Sequence, residues 1–461
     1  MNEAIFREYD IRGIAETDLT DEVTNLIGKA FGTYARRQGA NTVSVGCDVR
    51  LTSPRLKGAM IDGISSTGAN VIDIGTVPTP ALYYSVFHYG SDGGMMITGS
   101  HNPIEYNGFK MNLTSGSVFG EKIQELKGLI ERGDFESGSG NLRSENVVPA
   151  YQKMLNEKFD FKRNLKIIMD PGNGTAGPLA RSFFLGKGMD VECIFCEPDG
   201  SFPNHLPDPT VLKYTKALRE KVVEQGADIG IGYDGDADRI GVIDNKGRTV
   251  FADRLLAIIA RDMLSRHPGE QVLFDVKCSQ SLEDEIKKYG GKPLMWKTGH
   301  AILKSKMKEE KALLAGEMSG HIFFGENYYG FDDAIYASAL LVRILSESDN
   351  SFAEIVDEIP AFYSTPEVRL ECTDQEKFGI VADLVDYFKA RYDAIDVDGV
   401  RALFGDGWGL VRASNTQPVL VLRMEAQSEE RLKEIIKIFV DKLQEYPSVR
   451  VDPEEFIIVK G

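Results

Sequence analysis

Met95-Met96-Ile97-Thr98-Gly99-Ser100-His101-Asn102-Pro103 passes directly from three apolar side chains into a polar turn. This is the pattern of a buried strand that ends at the edge of an α/β sheet, and open α/β folds bind their ligands at that edge. A serine among Gly, Asn and Pro is ordinary turn chemistry when it stands alone. The passage becomes informative because the chain repeats its plan.

Three stretches share one order: a first strand ending in aspartate, a second apolar strand, and a third strand running into a polar, Gly-containing loop. The first strands are Thr42 to Asp48, Leu165 to Asp170 and Gln271 to Asp275, and the second are Asn70 to Ile74, Asp190 to Phe195 and the short Leu294-Met295-Trp296. The third strands lead into the Ser100 loop, into Asp234-Gly235-Asp236-Ala237-Asp238-Arg239 after Asp228-Ile229-Gly230-Ile231, and into Glu317-Met318-Ser319-Gly320-His321 after Ala312-Leu313-Leu314. Helical patterns lie between, one opening on Ser53-Pro54 as a cap and first-turn proline and another running from Tyr214 to Gln225. The last hundred residues alternate short strands near Val368, Val400, Gly409 and Val419 with helices from Gln375 to Tyr392 and Glu429 to Tyr446. The expected fold is α/β: three similar α/β domains with mixed sheets over 1–145, 146–248 and 249–360, and a smaller C-terminal α+β domain over 361–461, all around a central cleft.

A chain of 461 residues is too long for a single core. Its formal charge of -17 excludes nucleic acid and anionic membrane surfaces as expected partners, since both require concentrated positive surface. An anionic small molecule needs local Arg and Lys, which gives weight to cations beside Gly-rich loops. No apolar run is long enough to span a bilayer, and Met1-Asn2-Glu3-Ala4-Ile5-Phe6-Arg7 lacks the apolar core of a signal peptide. Cys47, Cys193, Cys196, Cys278 and Cys372 are too sparse and irregular for a disulfide framework. A cytoplasmic location is therefore expected.

Asp234, Asp236 and Asp238 place three carboxylates within five residues, a hard-oxygen set suited to Mg²⁺ or Ca²⁺. The EF-hand reading fails, because Arg239 stands where that loop needs glycine. Gly172-Asn173-Gly174-Thr175-Ala176-Gly177 matches the dinucleotide fingerprint and has Glu197 after the next strand, which keeps an NAD-dependent oxidoreductase as an alternative. Pro171 and Pro178 flank it, so a tight structural turn is preferred. Cys193 and Cys196 fall in one strand pattern, which would point their side chains to opposite faces. His101, His300 and His321 sit in or beside polar loops and are candidates for proton transfer. Arg412-Ala413-Ser414-Asn415-Thr416-Gln417-Pro418 collects donors that suit an anion.

Together these segments resemble the α-D-phosphohexomutase superfamily over the whole chain, one signature loop per domain and in the same order. TGSHNP is similar to its phosphoserine loop, DGDADR to its metal loop, GEMSGH to its sugar-recognition loop and RASNTQP to its phosphate-binding loop. Tyr9-Asp10-Ile11-Arg12-Gly13 and Phe202-Pro203-Asn204-His205 also resemble family sequence. GEMSGH with RASNT-P is most similar to the phosphomannomutase/phosphoglucomutase group, whereas phosphoglucosamine mutases more typically carry GEQSGH with RPSGTEP.

The resemblance implies an isomerase that moves phosphate reversibly between the 1- and 6-positions of mannose or glucose phosphates through a phosphoserine at Ser100 and a hexose 1,6-bisphosphate, which also serves as activator. It implies one Mg²⁺ held by Asp234, Asp236, Asp238 and a phosphoserine oxygen, with Arg239 neutralising the transferring group. Glu317 and Ser319 would bind sugar hydroxyls, and Arg412, Ser414, Asn415 and Thr416 the non-reacting phosphate. Tyr9, Arg12, Lys110, Lys277, His300 and His321 would line the cleft, with Lys110 and His321 as general acid and base candidates. His101 is expected to orient the loop, since adjacent side chains on an extended segment point apart. A monomer or weak dimer acting on small-molecule hexose phosphates is expected. A phosphoglucosamine mutase and a metal-dependent sugar phosphatase remain the alternatives.

Overall fold

The computed structural model describes residues 1–415, 417–452 and 455–460. Four sheets follow one another along the chain. In the first, Thr42–Cys47 pairs in parallel with Asn70–Thr76 on one side and Gly93–Ile97 on the other, and Gly93–Ile97 then pairs antiparallel with Tyr106–Leu113. The second repeats this order with Lys166–Asp170 between Asp190–Cys193 and Ile229–Tyr233, the last antiparallel to Ile240–Asp244. The third repeats it again with Gln271–Asp275 between Lys292–Trp296 and Leu314–Gly316, the last antiparallel to Ile322–Phe324.

The Ser100, Asp234 and Glu317 loops are therefore the same topological element: the connection between the third parallel strand and its antiparallel neighbour. The central strands are buried along almost their whole length, as expected of parallel strands covered on both faces. The first sheet carries an additional antiparallel strand, Ile11–Ile14, which brings Tyr9 and Arg12 to the Ser100 side.

The C-terminal sheet is antiparallel throughout, with Gly407–Ala413 and Val419–Ala426 at its centre. Helices Lys377–Lys389 and Glu429–Leu443 pack on it, and their Phe388 and Phe439 rings stack at 4.4 Å. Short strands Tyr363–Ser364, Asp393–Ile395 and Val459–Lys460 complete it and were not foreseen. The largest core is shared by the second and third sheets and the helix Thr79–Tyr89 of the first, so these units are packed into one another rather than strung on linkers.

Two local expectations are corrected. The strand that begins at Asp190 stops at Cys193, the chain reverses through Phe195 at φ +49°, and Cys193 and Cys196 are joined in a disulfide with Cα atoms 5.5 Å apart. The opposite-face reading fails because strand geometry does not extend to Cys196. The helix Ser53–Ser65 has Thr52 as its N-cap; the Ser53 hydroxyl turns instead to Asp48 at 2.5 Å.

Candidate active site

The Ser100 loop is held in shape from beneath. Asp48, buried at the end of the first strand, accepts the Thr98 hydroxyl at 2.8 Å and the Gly99 amide at 3.0 Å. Arg50 donates to the carbonyls of Pro103 and Tyr106 from one nitrogen and of Ser100 and Asn102 from the other, over 2.5 to 2.9 Å. Gly99 is required by this clasp, because a Cβ there would lie 2.3 Å from Arg50 Nε. Ser100 itself sits at φ +47°, a left-handed conformation uncommon for a side chain other than Asn or Gly, and of the kind that concentrates at functional sites.

The second sheet's loop meets it directly. Ser100 Oγ donates to Asp234 Oδ2 at 2.6 Å, and Gly235 lies so close that a Cβ there would fall 2.5 Å from the Ser100 carbonyl oxygen. Asp234, Asp236 and Asp238 are fully buried, and one oxygen of each lies within 4.8 Å of the others. Lys110 donates to Asp236 at 2.7 Å and to Asp238, while Arg239 Nε reaches Asp234 at 3.3 Å. Asp236 Oδ1 has no hydrogen-bond partner among the described residues, and Asp238 Oδ1 has only His321 Nε2, 3.3 Å away. Burial, then the charges of Asp238 and Asp236, push Asp234 up to about 8. Against the same burial, Lys110 and His321 hold Asp238 well below the usual carboxylate range. Three buried carboxylates facing two cations, with Asp236 Oδ1 orphaned, form a donor set that fits a hard divalent cation.

The third loop supplies Glu317, Ser319 and His321. Glu317 Oε1 accepts the Gly299 amide at 2.6 Å, and Oε2 stands 3.1 Å from His321 Nδ1. His321 Nε2 lies 3.3 Å from Asp238 Oδ1, and Ser319 Oγ lies 2.9 Å from His321 Nδ1. Opposing its burial, Asp238 and Glu317 raise His321 to about 10. His300 stacks beside it at 5.4 Å and is driven the other way, well below its ordinary value, by burial and by Lys304. His101 is lowered likewise, by burial and then by Arg239 and Arg12, and stays neutral.

His101 departs from expectation. Its Nδ1 lies 3.0 Å from Ser100 Oγ, because the left-handed turn at Ser100 breaks the extended geometry that would separate adjacent side chains. Arg12 donates to Asn102 at 3.1 Å and to Asp10 at 2.5 Å, beside the same loop.

On the far side of the cleft Asn415 Nδ2 donates to the Tyr9 hydroxyl at 2.5 Å, and that hydroxyl donates to the Thr298 carbonyl at 2.9 Å. This contact joins the first, third and fourth units. Burial pushes Tyr9 up to about 12, so it remains a neutral donor. Arg412 is held by Asp398 at 2.8 Å, Ser414 caps the turn by accepting the Gln417 amide at 3.1 Å, and Lys277 reaches Glu367 at 2.9 Å. Thr416 lies outside the described residues.

The structure thus gathers Ser100, His101, Lys110, the three aspartates, Arg239, His300, Glu317, Ser319 and His321 into one cluster, with Arg12 beside it. Lys277 adjoins it through Asp275 at 3.7 Å, and Tyr9 through Thr298; Asn415 of the fourth unit reaches Tyr9, with Arg412 and Ser414 on the same segment. Sequence reasoning missed Asp48 and Arg50, and also Thr79, whose hydroxyl donates to Asp236 Oδ2 at 2.5 Å. It also missed Lys304, which is half-buried between Tyr83 and Asp332 at 3.0 Å from each. The aspartate ending each first strand was the available signal: Asp275 accepts the Met318 amide at 3.2 Å much as Asp48 holds Gly99. The Gly172–Gly177 turn packs on the metal loop, with Thr175 N donating to Gly235 O at 3.0 Å, which is a structural use of the motif.

Family models describing phosphoglucomutase/phosphomannomutase α/β/α domains I, II and III and the C-terminal domain match residues 3–137, 149–247, 251–363 and 367–442 respectively. The chain belongs to the phosphoglucomutase/phosphomannomutase family of the α-D-phosphohexomutase superfamily. It is 44% identical over 442 residues to a phosphomannomutase/phosphoglucomutase of Pseudomonas aeruginosa, covering 96% of each chain. It is 41% identical over 450 residues to a phosphoglucomutase of Neisseria meningitidis, covering 96% of this chain and 98% of that one. A crystal structure of a phosphoglucomutase/phosphomannomutase family protein from Burkholderia thailandensis superposes with a TM-score of 0.91 at 39% identity, covering 98% and 99% of the two chains. Among the described residues no helix is long and apolar enough to cross a membrane.

Proposed function

We propose that this protein isomerises hexose phosphates, mannose or glucose, by moving a phosphoryl group reversibly between the 1- and 6-positions. The observation that carries the reading is Ser100 Oγ placed 2.6 Å from Asp234, in a buried nest of three carboxylates counter-charged by Lys110 and Arg239. A serine so placed can hold a phosphoryl group beside a cation site, which an ordinary polar turn does not need.

Asp234, Asp236 and Asp238, with an oxygen of phosphorylated Ser100, would hold Mg²⁺. When bound, the ion supplies charge stabilisation to the oxygens of the transferring group. Arg239, fixed by Asp234, would neutralise the same group. Lys110 and His321 stand next to the carboxylates and are the groups that exchange a proton with the attacking or departing sugar hydroxyl. His101, 3.0 Å from Ser100 Oγ, orients the serine, whose hydroxyl proton points to Asp234. Glu317, Ser319 and His300 face the sugar hydroxyls. Arg412, Ser414, Asn415 and Thr416 hold the phosphate that is not reacting, with Tyr9, Arg12 and Lys277 completing the contacts. Because the distal clamp belongs to the fourth unit and the reacting serine to the first, the hexose 1,6-bisphosphate can turn between them and present its other end. It also serves as activator by restoring phosphate to Ser100.

The reading includes the four-domain division at 145, 248 and 360, a monomer or weak dimer, and a cytoplasmic location. The test is intact-mass measurement of fresh protein with mapping of the phosphate. Phosphate on Ser100 that is lost on adding excess hexose monophosphate supports the proposal. A Ser100→Ala variant that still isomerises refutes it. Rates with glucose, mannose and glucosamine 1-phosphates then fix the sugar, and a strong preference for the amino sugar replaces the assignment.

A further inference from the structure

Two arginines of the C-terminal sheet grip the main chain of the third unit around Lys277. Arg401 Nη1 donates to the Val276 carbonyl at 2.8 Å and to the Cys278 carbonyl at 2.7 Å, and Arg423 Nη1 donates to the carbonyl of Lys277 between them. The same Arg423 nitrogen lies 3.2 Å from Met318 Sδ and 3.3 Å from Asp253 Oδ2, so it touches the sugar-recognition loop as well. Two residues beyond Cys278, the Gln280 amide donates to Glu425 of that sheet at 2.9 Å.

Arg401 is a costly residue to place here. It is fully buried, stacks on the Trp408 ring at 3.6 Å and forms no ion pair among the described residues. Its Nε and Nη2 have no hydrogen-bond partner there. Burial pushes its guanidinium down to about 10. If cohesion between the two units were all that was required, an apolar side chain would fill this space without desolvating a charge. An apolar side chain cannot hold the two carbonyls that flank Lys277, and those carbonyls set the direction in which Lys277 leaves the chain. Arg50 does the corresponding work for the Ser100 loop, where four carbonyls are gripped by one guanidinium.

We propose that Arg401 and Arg423 are positioning residues for Lys277. They tie residues 276–278 to the sheet that also carries Arg412, so that Lys277 and Arg412 are held in register across the joint between the third and fourth units. Lys277 Nζ is tied to the same unit through Glu367. The inference rests on the reading of Lys277 as a substrate contact.

A double-mutant cycle on hexose 1-phosphate isomerisation tests it, using Lys277→Met, Arg401→Met and Arg423→Met in the full chain. Lys277→Met is expected to raise KM about tenfold or more, and each arginine variant to do so with kcat within about threefold. Lys277→Met with Arg401→Met is expected to be no worse than Lys277→Met alone, since a residue acting through another is non-additive with it. Arg401→Lys, which keeps one donor, is expected to recover part of the loss. Multiplying effects in the double variant, or unchanged KM in both arginine variants beside a raised KM in Lys277→Met, overturn the inference and leave the reading of Lys277 intact. Unchanged KM in Lys277→Met overturns that reading instead. Should Arg401→Met fail to fold, Arg423→Met in the same cycle decides between these outcomes.

Discussion

The Thr79 hydroxyl donates to Asp236 Oδ2 at 2.5 Å while the Thr79 amide donates to the Asp236 carbonyl at 2.8 Å. A helix of the first unit therefore begins on the metal loop of the second, and it orients one carboxylate of the cluster. Partners of this kind govern metal affinity. Thr79→Val is expected to require roughly 10- to 100-fold more Mg²⁺ for half-maximal activity while kcat at saturating Mg²⁺ is retained. Activity titrated with Mg²⁺ from a chelated start checks it, and an unshifted midpoint rejects it.

Asp48 accepts from Thr98, Gly99, Ser53 and the Arg50 amide, and its carboxylate lies 3.5 Å from buried Arg50 Nε. Asp48→Ala strands a buried guanidinium and the donors of the Ser100 loop. A loss of roughly 3–5 kcal/mol is expected, as when one partner of a buried pair is removed. The urea midpoint measures it, and a loss below about 1 kcal/mol, the scale of an exposed pair, contradicts this account of the loop.

Lys110 counter-charges Asp236 and Asp238 and sits in reach of the reacting groups. If it moves a proton, Lys110→Met lowers kcat by roughly 10²- to 10⁴-fold. A fall confined to Mg²⁺ affinity, with kcat nearly intact at saturation, would show that Lys110 serves only as counter-ion. The measurement is kcat across a Mg²⁺ series.

His205 lies away from the carboxylate cluster, with Nε2 3.1 Å from Asp170 Oδ2. Overriding the burial that would lower it, the Asp170 carboxylate raises His205 above its ordinary value. The protonated form is thus favoured in the folded state. The stability it contributes is complete below the unfolded value of about 6.5 and is lost as pH rises through the raised folded value. The difference in urea midpoint between the protein and His205→Gln should shrink from pH 6 upward, about where a histidine titrates. A difference that is flat or grows with pH rejects the pairing.

The three repeated units were legible because buried parallel strands read as unbroken apolar runs, and each ends in a Gly-containing polar loop that interrupts the pattern sharply. The clustering of Ser100 with Asp234 followed once those loops were taken as equivalent, although 134 positions separate them. What stayed hidden was whatever depends on long-range docking of single polar atoms. Thr79 opens a helix that is buried through Val86 and Lys304 lies on one with weak apolar periodicity, and nothing local marks them as partners of Asp236 or Asp332. Arg401 reads as one cation in a short strand, and only the packed structure shows it reaching the carbonyls around Lys277. His101 and Cys196 were misjudged for a common reason: strand geometry was carried into residues where the backbone turns left-handed, at Ser100 and at Phe195.

The equivalence of the three sheets bears on how this protein comes into being. Each sheet is built from a contiguous length of chain and can form its strands with only its own residues. The carboxylate nest cannot. Asp234, Asp236 and Asp238 belong to the second unit, while Lys110 and Thr79 belong to the first and His321 to the third. A nascent second unit therefore carries three crowded anions with no neutralising neighbour beyond Arg239, and they stay wet until the flanking units arrive. Assembly and acquisition of activity are then one event, and during refolding catalysis should return after secondary structure, at the pace of docking.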